Sequence, residues 1–84
     1  MKRKAYSVNV PGKRGYSIFA ATDKEADLSH EDIVDSLIEL GAFESTEDAQ
    51  CCNVEEMSEH EVSACPFKFY DLDGRDMLMK EDIL

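Results

Sequence analysis

At 84 residues the chain is too short for two domains, and its 43% hydrophobic content, with seven Phe and Tyr, is enough for a thin core and excludes a disordered acidic tail. Nineteen Asp and Glu against nine Lys and Arg give a formal net charge of −10, which argues against nucleic acid as a direct ligand, because phosphate binding needs clustered bases. No apolar run approaches the roughly 20 residues of a membrane span, the start Met1-Lys2-Arg3-Lys4 reads as too polar for a signal peptide, and the odd count of Cys51, Cys52 and Cys65 argues for reduced thiols, so a cytoplasmic location is expected.

The segment Ala5-Tyr6-Ser7-Val8-Asn9-Val10 alternates as a half-buried strand does, and residues 16–21 read as a second strand. Between them Pro11-Gly12-Lys13-Arg14-Gly15 is turn chemistry, so the chain opens on a hairpin with a basic tip. Ser29-His30-Glu31-Asp32 then supplies an N-cap with acids in the first turn. Ile33, Val34, Leu37, Ile38 and Leu40 form one apolar stripe, and Gly41 falls where a left-handed C′ residue is wanted. Ser45-Thr46-Glu47-Asp48 repeats the cap pattern before a shorter helix, with Phe43 placed to staple its start. A strand through Val54 and a turn or single helical turn capped by Ser58 come next. Residues 67–70 and 76–79 flank Asp73-Gly74 as a second hairpin. The expected fold is α+β in the order ββααβββ or a close variant: one antiparallel sheet built from both hairpins, with the main and the short helix on one face.

Charge is distributed unevenly along these elements. Residues 1–24 hold six bases and one acid, whereas residues 25–67 hold thirteen acids and no base. Such a stretch has no neighbours in sequence to neutralise its field and attracts basic surfaces. Glu31, Asp35 and Glu39 recur every fourth residue, a column stepping about 6 Å along a helix, of the same order as the roughly 3.4 Å per-strand rise between phosphates. Two readings of this column stand: a mimic of a phosphate backbone, or the solvated face of an amphipathic helix. Glu31, Asp32, Asp35 and Glu39 are the first candidate partner-binding face, and Glu55, Glu56, Glu59 and Glu61 the second. The basic segment at Lys2, Arg3, Lys4, Lys13 and Arg14 either pairs loosely with acids of the same or a neighbouring molecule or touches nucleic acid at the edge of a complex.

Other constellations carry less. Asp71-Leu72-Asp73-Gly74 invites a calcium reading, but placing Gly74 sixth in an EF-hand loop puts Phe69 first and Lys80 twelfth, so a turn with Asp71 capping backbone amides is the better account. Cys51, Cys52, His60 and Cys65 lack a Cys-x-x-Cys knuckle and read as structural thiols, and the surrounding carboxylates oppose thiolate formation. His30 and His60 read as surface groups. With no phosphate loop or catalytic triad, neither an enzyme nor a bound cofactor is expected.

In its two-helix, hairpin-flanked layout and its base-free stretch from Glu25 to Phe67, the sequence resembles the small acidic proteins that phages carry against host defences, in particular anti-CRISPR proteins and DNA mimics. The likeness is one of general character and carries over no residue position by position. It implies an inhibitor whose carboxylates occupy a Lys- and Arg-lined channel of a CRISPR effector complex, with a basic nucleic-acid-binding protein as partner. The rival expectations are an interaction or regulatory module that dimerises, its acids serving solubility, and a metal or redox module built on the three cysteines.

Overall fold

The computed structural model describes residues 1–12 and 16–84. The basic hairpin tip, Lys13 and Arg14, lies outside the described residues. In chain order the elements are β1 (Arg3–Asn9), β2 (Ser17–Asp23), α1 (His30–Glu39), α2 (Thr46–Cys51), β3 (Asn53–Glu56), α3 (Glu59–Ala64), β4 (Phe69–Asp71), β5 (Met77–Leu78) and α4 (Lys80–Ile83). The five strands form one sheet in the order β3-β1-β2-β4-β5.

The α+β class holds, but the sheet is mixed rather than antiparallel. β1 pairs antiparallel with β2 and β3, and β4 with β5, whereas β2 and β4 run parallel, with Ala20 opposite Tyr70 and Ala21 opposite Asp71. The cause lies in the connection between β3 and β4. Residues 57–68 contain α3 and form a crossover of the length that parallel strands require, returning the chain to the far side of the β1–β2 hairpin.

Both faces of the hairpin are therefore covered. On one face Tyr6, Val8, Ile18 and Ala20 pack with Ile33, Val34 and Leu37 of α1 and with Ala49 and Cys52 at α2. On the other, Ala5 and Ala21 pack with Met57, Val62 of α3, Cys65, Phe69 and Ile83 of α4. The main and short helices share a face, as their sequence predicts, and α3 and α4 lie opposite. This corrects the reading of β1 as half-buried: Ala5 and Tyr6 are adjacent and both buried, because neighbouring strand residues face opposite layers and both layers are filled.

Local signals account for the helix ends. Ser29 and Asp32 form a reciprocal capping box at α1, Asp32 N donating to Ser29 Oγ at 3.2 Å and Ser29 N to Asp32 Oδ2 at 3.3 Å. Gly41, at φ 71°, closes the other end: its N–H donates to Ile38 O and that of Ala42 to Leu37 O, the two bonds of a Schellman motif. Ser58 and Glu61 repeat the box at α3. α4 was not anticipated. It follows β5 directly, and Ile83 O accepts from Lys2 N at 2.7 Å, tying this helix to the start of β1.

Candidate functional site

α1 carries its acids on the face turned away from the sheet. Ile33, Val34 and Leu37 are buried, and Glu31, Asp32, Asp35 and Glu39 are exposed, as the 3.6-residue period requires once the apolar stripe is docked. Their surroundings differ. Glu31 and Asp35 line an open groove of about 400 Å³ between α1 and α2, with His30 and Gln50. Glu39 lines a smaller depression of about 210 Å³ against the Asp73-Gly74-Arg75 turn. Asp32 also serves the α1 capping box, which occupies one of its carboxylate oxygens.

The second acidic set does not gather into one patch. Glu55 and Glu56 stand on β3, opposite Ser7 and Tyr6 of β1 respectively, so they project to opposite faces of the sheet. Glu59 and Glu61 lie on α3, and Glu61 Oε1 accepts from Ser58 N at 3.1 Å. All four are exposed. The eight acids thus form a helical face on one side of the sheet and a band that passes over the β3 edge to the other side.

None of these eight carboxylates belongs to an ion pair among the described residues. Arg3 lies 3.9 Å from both Asp71 and Asp73, at the far turn. Lys4 Nζ donates to Ala26 O at 2.8 Å and Lys80 Nζ to Ser63 O at 3.1 Å, so these two bases satisfy backbone carbonyls instead. The field of the acidic stretch is left for water or a partner to neutralise.

The Asp71-Leu72-Asp73-Gly74 turn directs its carboxylates at its own fold. Asp71 Oδ1 accepts from Asp73 N at 3.0 Å, the amide capping that the sequence suggests. The role of Asp73 could not be read from sequence. Its carboxylate accepts from the Thr22 hydroxyl at 3.1 and 3.2 Å and from Asp23 N at 2.8 Å, pinning the turn to the end of β2 across about fifty residues of chain.

Cys52 and Cys65 are buried, Cys51 is exposed, and all three are unbridged. Burial pushes the Cys52 thiol up, with a further contribution from Cys51, so desolvation rather than neighbouring carboxylate charge opposes its ionisation. Its Sγ donates to Ala49 O at 3.3 Å. Among the described residues no group of three or more His, Cys, Asp and Glu is placed to hold a metal ion. Nor is any of their helices long and apolar enough to cross a membrane.

The apolar surface that a dimerising module needs has its place at Phe67 and Phe19, which the sequence does not single out. Phe67, expected in a strand, precedes β4 and is 61% exposed, its ring stacked on Phe19 at 5.7 Å between centroids. It borders a groove of about 590 Å³ that also includes Tyr16, Ile18, Lys68 and Met77. No local signal sets Phe67 outside the strand, since Pro66 lacks only its own N–H and proline is accepted where a strand begins.

Comparison of the chain with protein-family models, with curated proteins and with solved structures found no match in any of the three.

Proposed function

We propose that this chain is a non-catalytic, protein-binding inhibitor of the anti-CRISPR type, acting in the cytoplasm of a bacterial host. In this reading its acidic surface enters a basic channel of a CRISPR effector complex and competes there with guide or target nucleic acid. One observation carries the reading: Glu31, Asp32, Asp35 and Glu39 are exposed on one helix face, without an ion pair among the described residues, in a molecule of net charge −10. Carboxylates held this way keep their field available to a basic partner, and a Lys- and Arg-lined channel supplies the complementary charge. Cys52 is not available as a nucleophile in this reading, because it is buried and burial raises its pKa.

The test is target-DNA binding by purified CRISPR effector complexes with and without the chain, at low and at high salt. Inhibition is expected at low salt and should weaken as ionic strength rises. Reversing Asp35 and Glu39 to lysine is expected to weaken association by more than about tenfold, because it turns two attractions into repulsions. A change within about twofold removes α1 from the mechanism, and undiminished DNA binding at saturating chain overturns the proposal.

A second reading, a module that dimerises through its apolar surface, is favoured by the exposure of Phe67 over Phe19. Light scattering separates the two, since an apolar dimer persists at high salt and an electrostatic complex dissolves.

A further inference from the structure

We infer that the open edge of β3 docks an extended, basic segment of the partner as a sixth strand; this rests on the reading of a basic partner and specifies how that partner is held. β3 ends the strand order, with β1 on its inner side. The phase of the ladder shows which backbone groups face outward. Met57 N donates to Ala5 O at 2.8 Å, and the register of Tyr6 with Glu56 continues to Ala5 with Met57, making that a hydrogen-bonded pair. Such pairs alternate along antiparallel strands, so Glu55 and Asn53 also turn their backbone groups to β1. The N–H and C=O groups of Val54 and Glu56 consequently point away from the sheet.

Charge selects what can use that edge. Glu56 stands on the α1 side of the sheet and Glu55 on the α3 side, where Glu59 and Glu61 add to it. A second copy of β3 laid along the edge would bring glutamate against glutamate, and like charges across a strand pair are destabilising. Charged edges of this kind prevent self-association. An incoming strand with Lys or Arg at every second residue inverts the sign on one face, setting a single basic row beside Glu56 or beside Glu55 while its backbone completes the bonds of Val54 and Glu56. β5, the opposite edge, is only Met77–Leu78 and leads straight into α4, so it offers no comparable length.

Amide hydrogen exchange of the 84-residue chain, read with two short synthetic peptides, tests this. One peptide alternates lysine with valine and can extend as a strand; the other replaces each valine with proline and carries a methyl group on each lysine's backbone nitrogen, so it has equal charge and no internal backbone N–H to donate. The first is expected to slow exchange at the Val54 and Glu56 amides by more than about tenfold, and the second to leave them unchanged. Glu56→Pro removes an outward N–H, a position where edge strands tolerate proline, and should lower affinity for the lysine–valine peptide at least about tenfold. Glu56→Gln keeps the N–H and should lower it only about two- to threefold. Equal binding of both peptides without slowed exchange at these amides overturns the edge while leaving the acidic surface standing. Failure of both to bind at low salt overturns the basic-partner reading as well. Should the proline variant fail to fold, the exchange measurement on the unmodified chain decides.

Discussion

Thr22 illustrates how much a single residue can hold. It is fully buried on β2, and its hydroxyl is the donor that the Asp73 carboxylate meets at the sheet end of the far turn. Removing the donor leaves Asp73 with the Asp23 amide and the nearby Arg3 guanidinium, so the turn loses one charge-assisted bond but is not released. Thr22→Val is expected to destabilise the fold by about 1–2 kcal/mol, below the full value for a bond to a charged group because Asp73 is half in solvent. Denaturant unfolding of T22V, D73A and the double variant checks it: the two changes should be sub-additive by about 1 kcal/mol, and strict additivity would show that the bond contributes nothing.

Among the elements, α1 combines a well-specified helix with a poorly chosen charge. Its capping box and Schellman motif satisfy both ends, and acids in its first turn agree with the dipole. Glu39 does not: it closes the last turn, which holds no base, and stands four residues after Asp35. Glu39→Lys should therefore stabilise the chain by about 0.5 kcal/mol, a rise of roughly 2–4 °C in Tm, by removing one repulsion and complementing the dipole. If the proposed inhibition is right, the same variant binds its basic partner less well. Higher Tm with weaker binding marks a residue kept for function at the expense of stability, and an unchanged or lower Tm would refute the electrostatic reading of this position.

Over the whole molecule, pH links core packing to charge. Burial raises the pKa of Tyr6 above its ordinary 10.0, helped by the charges of Glu56 and Asp27, and burial likewise raises Cys52 above 9.0. Both groups are held neutral in the folded chain, so their contribution is complete below the ordinary values and is lost as pH climbs through the raised folded values. Thermal stability is expected to stay level from neutrality to about pH 9 and then fall. Tyr6→Phe, which cannot ionise, should make the fall above pH 10 shallower. A parallel decline in both proteins would show that Tyr6 ionises equally in the folded and unfolded chain.

What could be read from the residues alone was local. Caps at Ser29, Ser45 and Ser58 and the stop at Gly41 follow from interactions within a few residues, and the hairpin between β1 and β2 and the outward acids of α1 follow from the period of the apolar residues. Tertiary structure alone decided that β4 lies parallel to β2, that helices cover both faces, that Asp73 reaches Thr22, that Phe67 is exposed and that Glu55 and Glu56 border an open edge. Each of these depends on residues far apart in the chain meeting, the β3 edge through its pairing with β1 and the others once the 57–68 crossover has closed, a condition that no periodicity or cap encodes. The acidic stretch lies between these limits: its composition is legible at once, but its division into a helix face and a strand edge is a product of the fold.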